Sequence, residues 1–96
     1  MTKVVGLISG LIDAFLKGEV DKFVLRVDAS LNEEEFKALL GDHKFDDKHT
    51  YTDDNVITDE YEYIIDDTFE KKLEIQYVKQ DGKIFVFMVK GYIDTW

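Results

Sequence analysis

The chain has 96 residues, of which 45% are hydrophobic and 14% aromatic, and 21 acidic against 12 basic side chains give a formal net charge of −9. This length accommodates one domain with a single core. The acidic balance argues against a protein that binds duplex DNA through clustered lysine and arginine, and against an anionic membrane surface as partner. Because the sequence has no cysteine, disulfides, cysteine-ligated metal sites and thiol catalysis are excluded.

Residues 2–17 are predicted to form an amphipathic helix, because their apolar side chains recur at steps of three and four. Thr2 is suited to cap the start of this helix, and Gly18 is suited to the left-handed conformation that ends one. A secretory signal is the alternative, but Asp13 interrupts the apolar run and no small-residue cleavage motif follows it. We therefore expect the helix to pack against the core.

A strand and a second helix are predicted next. Residues 22–28 alternate between apolar and polar side chains, as a half-buried strand does. Ser30 and Glu33 have the spacing of a capping box, in which each side chain accepts a hydrogen bond from the backbone amide of the other residue. This motif predicts a helix over residues 31–40.

The middle of the chain combines an acidic segment with a further strand. Residues 42–55 are polar and acidic, and we expect a long loop there, or a loop with one short strand. Residues 59–65 alternate again, which directs Tyr61 inward while Glu60 and Glu62 point outward.

The C-terminal part is predicted to be a β-hairpin of residues 73–80 and 83–93. Asp81 and Gly82 between them are the pair favoured in a two-residue type I′ turn. Counting outward from this turn gives four cross-strand pairs: Gln80–Lys83, Val78–Phe85, Tyr77–Val86 and Ile75–Met88. Both faces of the hairpin are apolar, so we expect it to lie centrally in the sheet, with one face on the helices and the other covered by the chain or free for a partner.

These elements predict an α+β fold, in which two helices pack on one face of a mostly antiparallel sheet of about four strands that ends in the long hairpin. No proline-rich linker, repeat or low-complexity tract divides the chain. A single small acidic domain over residues 1–96 is therefore expected.

Neither catalysis nor a cofactor or metal is predicted. The only histidines, His43 and His49, lie among carboxylates in the sequence, which would favour the imidazolium form and so weaken either residue as a general base. No glycine-rich phosphate-binding motif is present. The acidic residues could supply oxygen ligands to calcium, but both possible EF-hand registers lack the required glycine. A non-standard metal site built from His43, Asp47 and His49 remains as the alternative.

The net charge is confined to one segment of the sequence. Residues 42–70 contain eleven acidic and two basic side chains, whereas the rest of the chain is neutral. One interpretation is that these acids simply keep a small protein soluble. The other interpretation is a binding face. Confinement of the acids to one segment favours it, because clustering like charges lowers stability and a role in solubility alone does not require such clustering.

We therefore expect a non-catalytic inhibitor that occupies the basic surface of a nucleic-acid-binding protein, such as a nuclease or a defence effector, by imitating nucleic acid. Alternate residues of a strand lie about 6.6–6.8 Å apart on one face, so Glu60 and Glu62 would begin a row of carboxylates. The protein itself is expected to bind neither nucleic acid nor membranes. The predicted partner-binding residues are Asp53, Asp54, Asp59, Glu60, Glu62, Asp66, Asp67, Tyr51 and Tyr61.

In its size, acidity and lack of cysteine, the chain resembles small proteins of phages and mobile elements, including anti-CRISPR and anti-restriction proteins, some of which imitate nucleic acid. The resemblance implies a viral inhibitor in the cytoplasm of a bacterial or phage-infected host cell, and it transfers no individual residue. Immunity proteins and antitoxins share the same character. The alternative function is a protein-interaction module, including a homodimer, that uses the hairpin face around Phe85, Phe87 and Val89.

Overall fold

A computed structural model describes residues 3–95 of the chain. The elements occur in the order α1 (Lys3–Leu16), β1 (Phe23–Leu31), α2 (Glu33–Ala38), β2 (Asp47–Asp53), β3 (Val56–Ile64), β4 (Phe69–Gln80) and β5 (Lys83–Thr95). The strands form one antiparallel sheet in the order β1-β5-β4-β3-β2. The fold is thus α+β as predicted, but the sheet has five strands and not about four.

Both helices pack on one side of the sheet, which we call the helix face; the opposite side is the open face. Alternation along β4 shows the division, because Leu73, Ile75 and Tyr77 are buried on the helix face while Lys72 and Glu74 point to the open face. The core on the helix face also contains Val5, Ile8, Ile12, Leu39, Val86 and Val89. No helix among residues 3–95 has the length and apolar character needed to cross a bilayer.

Helix α1 confirms the prediction from its apolar spacing, and its C-terminus is fixed by two features. Gly18 ends the helix with a φ of 83°, a left-handed conformation that glycine adopts without steric cost. The Lys71 ammonium donates a hydrogen bond of 2.7 Å to the carbonyl of Phe15 in the last turn of the helix, which also accepts a hydrogen bond from the Gly18 amide. The predicted cap, Thr2, lies outside the described residues.

The prediction for the second helix is wrong in its start and its cap. Helix α2 begins at Glu33, after an Asn32–Glu35 capping box whose two hydrogen bonds measure 2.8 and 3.0 Å. Ser30 is still part of β1, which continues to Leu31 because Leu31 pairs with Ile84 of β5 and is buried in the core. Strand pairing therefore overrides the local Ser30 motif.

The hairpin register matches the prediction near the turn and departs from it further out. The pairs Gln80–Lys83, Val78–Phe85 and Tyr77–Val86 are confirmed, but Ile75 pairs with Val89 and not with Met88. A β-bulge between Gln76 and Tyr77 accommodates one extra residue on β5, and such a shift by one residue exchanges the two faces. Val89 consequently lies buried on the helix face, whereas Met88 lies on the open face opposite Gln76.

The acidic segment 42–55 follows the second predicted option, a loop with one strand. Strand β2 is an edge strand that is exposed along its whole length and pairs only with β3. Asp54 and Asn55 connect the two strands with φ angles of 48° and 70°. Positive φ at both central residues is the conformation of a type I′ turn, which Asp and Asn tolerate better than most residues.

Candidate functional site

The open face carries a cluster of ionisable side chains where strands β2, β3, β4 and β5 lie side by side. We call it the charged cluster, and its members are Asp47, His49, Glu60, Glu62, Glu70, Lys72, Glu74, Lys90, Tyr92 and Asp94. Register brings them together, since Glu62 faces Lys72 across β3 and β4, and Lys72 faces Tyr92 across β4 and β5. Six carboxylates therefore share one surface with two lysines and one histidine.

Lys72 lies at the centre of the charged cluster. Its ammonium is 3.2 Å from Asp94, 3.6 Å from Glu70, 3.8 Å from Glu62 and 4.0 Å from Glu60. Burial lowers the pKa of Lys72, but the hydrogen bond to Asp94 and the charges of Glu60 and Asp94 outweigh burial, so the pKa is raised overall. Lys72 is therefore a permanent cation that holds four carboxylates in place.

Two other members of the cluster have a pKa shifted by their surroundings. Burial raises the pKa of the Glu70 carboxyl, its contact with Glu62 raises the pKa further, and Lys72 opposes both effects. Burial also raises the pKa of Tyr92, whose hydroxyl donates a hydrogen bond of 2.8 Å to Glu74. The cluster is thus partly desolvated, although α1 and α2 both lie on the other face of the sheet.

Glu60 and Glu62 occupy the position that strand alternation predicted for them, on the face opposite Tyr61. Their side chains are each only 16% exposed, because they pack beside Lys72. The predicted row of two carboxylates exists, but it belongs to an ion-pair network and is not a freely solvated ridge.

The other predicted surface acids lie near the two ends of β3, in the connections to its neighbours or directly beside them. Asp53 and Asp54 are exposed at the β2–β3 turn, and Asp66 and Asp67 are exposed in the loop that follows β3. The nine residues of β3 separate these loops by about 30 Å at roughly 3.4 Å per residue. The hydroxyl and the amide of Thr68 both donate hydrogen bonds to the Asp66 carboxylate. These bonds lower the pKa of Asp66, and the bond from the hydroxyl has the larger effect.

Asp59 and Tyr61 are corrections to the predicted surface, because both lie on the helix face. Asp59 is 2% exposed and Tyr61 is 7% exposed. The Asp59 carboxylate accepts one hydrogen bond from the Thr50 hydroxyl and one from the Tyr77 hydroxyl, each of 3.0 Å. Alternation in β3 explains the placement, since odd-numbered residues share one face. Asp59 is therefore a structural acid. The predicted anchor Tyr51, on β2, is exposed and lies on the open face.

The two histidines have separate surroundings. His49 Nε2 lies 3.0 Å from Glu62 Oε1 and 3.2 Å from Asp47 Oδ2, and one ligand atom from each residue falls within 4.8 Å of the others. This is the one such group among residues 3–95. His43 instead lies 3.1 Å from Asp13 of α1, so the predicted set of His43, Asp47 and His49 is not assembled.

Several members of the charged cluster were missed in the sequence, namely Glu70, Lys72, Glu74, Lys90, Tyr92 and Asp94. Residues 70, 72 and 74 alternate with apolar positions, and a strand beginning at Phe69 would have placed them on one face. Placing Asp94 and Tyr92 beside them requires the β4–β5 register, which the bulge shifts.

The open face also has an apolar part, which extends along β1 and β5 from Val24, opposite Lys90, to Phe85 near the hairpin turn. Val24 is 66% exposed and Phe85 is 36% exposed, and partly buried Val78 and Met88 lie on the same face. The predicted apolar surface around Phe85, Phe87 and Val89 is therefore corrected, because Val89 is in the core.

Comparison with known proteins places this chain among viral relatives. The family described as "Protein of unknown function (DUF1374)" matches residues 7–94. The chain is 33% identical over 91 residues to the uncharacterized protein ORF99 of Acidianus filamentous virus 1, covering 94% of this chain and 89% of the relative. It is 31% identical over 83 residues to the uncharacterized protein 14 of Sulfolobus islandicus filamentous virus, covering 84% and 72%.

Two solved structures share the fold. The thermo- and acido-stable ORF-99 from the archaeal virus AFV1 aligns with a TM-score of 0.87 at 29% identity, covering 98% of this chain and 95% of that chain. ORF14 from Sulfolobus islandicus filamentous virus aligns with a TM-score of 0.80 at 27% identity, covering 98% and 87%. The chain thus shares its fold, over nearly its full length, with proteins of archaeal filamentous viruses.

Proposed function

The chain belongs to the DUF1374 family, and we propose that it is a non-catalytic viral inhibitor that covers a basic, nucleic-acid-binding surface of a host protein in the cytoplasm of the infected cell. The partner would be a nuclease or a defence effector, as for inhibitors of the anti-CRISPR and anti-restriction type. The observation that carries this proposal is the acidic surface formed by the charged cluster and the two loops at the ends of β3.

This acidic surface consists of three groups of acids along the β2–β3 side of the open face, and Tyr51 and Thr58 lie between the first group and the second. Asp53 and Asp54 lie at one end of it, Glu60 and Glu62 lie along its middle, and the loop containing Asp66 lies at the other end. Within the charged cluster, six carboxylates outnumber two lysines. A field of one sign over such a length attracts a basic surface and speeds association with it.

Rigidity supports the same proposal. The paired strands and the central Lys72 fix the positions of Glu60 and Glu62, so little side-chain entropy is lost when a partner binds. Alternate positions on a strand are about 6.6–6.8 Å apart, so the two glutamates present their carboxylates at a fixed spacing to the lysines or arginines of a partner.

The experiment is affinity capture on the immobilised protein from an extract of Sulfolobus islandicus cells, the organism in the name of one viral relative. The test variant replaces Asp53, Asp54, Asp66 and Asp67 with asparagine, which keeps the turn conformations. A matched control replaces four exposed acids elsewhere, Glu19, Asp21, Glu33 and Glu34, with glutamine or asparagine, so that the net charge changes equally.

We expect the wild type and the control to retain the same nucleic-acid-binding protein, which elutes as salt rises, and we expect the test variant to lose it. The proposal is wrong if the test variant retains the same protein up to the same salt concentration. It is also wrong if only net charge matters and the control loses the partner to the same extent.

The apolar part of the open face favours a second candidate function, a protein-interaction module that forms a homodimer. Val24 and Phe85 are large apolar side chains that solvent reaches on an uncovered sheet face. Sedimentation equilibrium tests this candidate: a dimer that forms in the wild type at high salt, and is lost in Phe85→Asp, supports it. A monomer at all concentrations contradicts it.

A further inference from the structure

We propose that Asp47, His49 and Glu62 form a binding site for a divalent cation of the zinc class. This site is a property of the chain that goes beyond the proposed inhibition and does not depend on it.

The register of two strands assembles the three ligands. Asp47 of β2 and Glu62 of β3 are directly opposite partners, and His49 follows Asp47 by two residues, so all three side chains point to the open face. His49 Nε2 is 3.2 Å from Asp47 Oδ2 and 3.0 Å from Glu62 Oε1. Ligand atoms around a tetrahedral zinc, with bonds of about 2.0–2.2 Å, are separated by roughly 3.4 Å. Small side-chain rotations therefore bring the group to the spacing that zinc requires.

The donor set selects the class of metal. One imidazole nitrogen with two carboxylates matches the nitrogen and oxygen ligands that zinc accepts, whereas calcium takes six to eight oxygen ligands and magnesium retains most of its water. His49 distinguishes this group from a cluster of carboxylates alone, because its imidazole supplies a nitrogen ligand. Three protein ligands leave the fourth position for water or for a ligand from a partner.

Neighbouring residues hold two of the ligands in place. The ring of His49 stacks against Tyr51 at a centroid distance of 6.3 Å and an interplanar angle of 25°. The second carboxylate oxygen of Glu62 lies 3.8 Å from the Lys72 ammonium, which orients the first oxygen towards His49. The surplus of carboxylates in the charged cluster also attracts a cation to this edge of the sheet.

The alternative is that a protonated His49 simply forms ion pairs with Asp47 and Glu62. Calorimetric titration of metal-free, untagged protein with zinc chloride near pH 7.5 separates the two. We expect one saturable site per chain, together with a rise of the thermal midpoint in zinc, because a ligand that binds only the folded chain stabilises it. Calcium and magnesium chloride serve as comparison titrants and should give no saturable binding.

The chain offers a matched control, because its only other histidine lies beside Asp13. His49→Ala should weaken zinc binding about 100-fold or more, since even changes of the residues that orient a ligand weaken it by roughly 10–100-fold. His43→Ala should bind zinc as the wild type does. His49→Gln provides a second variant if His49→Ala fails to fold. The inference is overturned if the wild type binds no zinc, if the His49 variants bind as tightly as the wild type, or if His43→Ala loses binding equally. Capture of a host protein by the zinc-free chain is unaffected by any of these results.

Discussion

Replacing Asp59 with alanine tests the most consequential correction to the sequence prediction, namely that this acid supports the fold and does not belong to the binding surface. In the wild type the carboxylate is buried between β3 and its neighbours and accepts hydrogen bonds from Thr50 and Tyr77. The Lys48 ammonium is 3.9 Å away, but this lysine is half exposed, so the ion pair contributes little.

The magnitude follows from those two hydrogen bonds. A hydrogen bond to a charged group contributes about 1.5–3 kcal/mol, and a buried donor left without a partner costs about 1–3 kcal/mol. Thr50 belongs to the exposed edge strand and can turn to water, whereas the Tyr77 hydroxyl is buried and cannot. Removing the carboxylate also relieves its desolvation. We therefore expect Asp59→Ala to lower the free energy of unfolding by about 3 kcal/mol.

Urea unfolding followed by circular dichroism measures this change. For a domain of this size the slope is about 1 kcal/mol per molar urea, so the midpoint should fall by about 3 M. Asp53→Ala is the control, because Asp53 is an exposed acid on the same β2–β3 hairpin and its removal should change stability by less than about 0.5 kcal/mol. If the two variants unfold at the same urea concentration, the structural role assigned to Asp59 is refuted. Any variant meant to test the acidic surface must therefore leave Asp59 intact.

Two further predictions concern packing and alkaline stability. Gly91→Ala should destabilise the domain by about 1–3 kcal/mol in the same urea assay, because a Cβ at this position would lie 2.9 Å from the ring of Phe15. Gly10→Ala should instead stabilise the domain by up to about 1 kcal/mol, because Gly10 lies in a helix and has open space around it. Burial, followed by the charge of Asp59, raises the pKa of Tyr61 to about 12. The stabilisation linked to this raised pKa is fully present below pH 10, the approximate pKa of tyrosine in the unfolded chain, and is lost as the pH rises towards 12. The wild type should therefore lose more stability than Tyr61→Phe between pH 10 and 12. Equal losses in the two proteins would contradict this assignment.

Local patterns in the sequence were sufficient where one signal decided the structure. The three- and four-residue spacing predicted α1, and Asp81 with Gly82 predicted the turn between β4 and β5. The capping motif at Ser30 failed because its residues were also needed by β1, whose pairing with β5 buries Leu31. Competition between a local motif and a distant strand cannot be judged from the local residues alone.

The candidate site was predictable only in part, because alternation within one strand is a local pattern and the register between strands is not. Alternation within β3 correctly placed Glu60 and Glu62 on one face, and consistent use of that alternation would have placed Asp59 with Tyr61 on the other. The ion pairs of the charged cluster depend on the register of four strands, β2 to β5. The bulge at Phe87 changes that register, and β1 also shifts register at the same level. The irregularity is therefore a feature of the assembled sheet, and neither strand's sequence alone indicates it.

Locating the charge on the structure also changes its meaning. The eleven acids of residues 42–70 do not form one surface, because Asp59 is buried on the helix face and Glu70 is buried beside Lys72 on the open face. The remaining acids lie on the open face or in loops. The acidic surface is thus smaller than the acidic segment, and its loops can be changed without disturbing the core.

The proposed inhibition is tested most directly by competition for a partner protein obtained by capture. The partner is mixed with a fluorescent DNA or RNA that it binds, and anisotropy is recorded as the viral protein is added at several salt concentrations. The proposal predicts complete displacement of the nucleic acid, an affinity that falls steeply as salt rises, and a much weaker effect of the variant that lacks Asp53, Asp54, Asp66 and Asp67. Undiminished nucleic-acid binding in the saturated complex, or equal displacement by that variant, would contradict it.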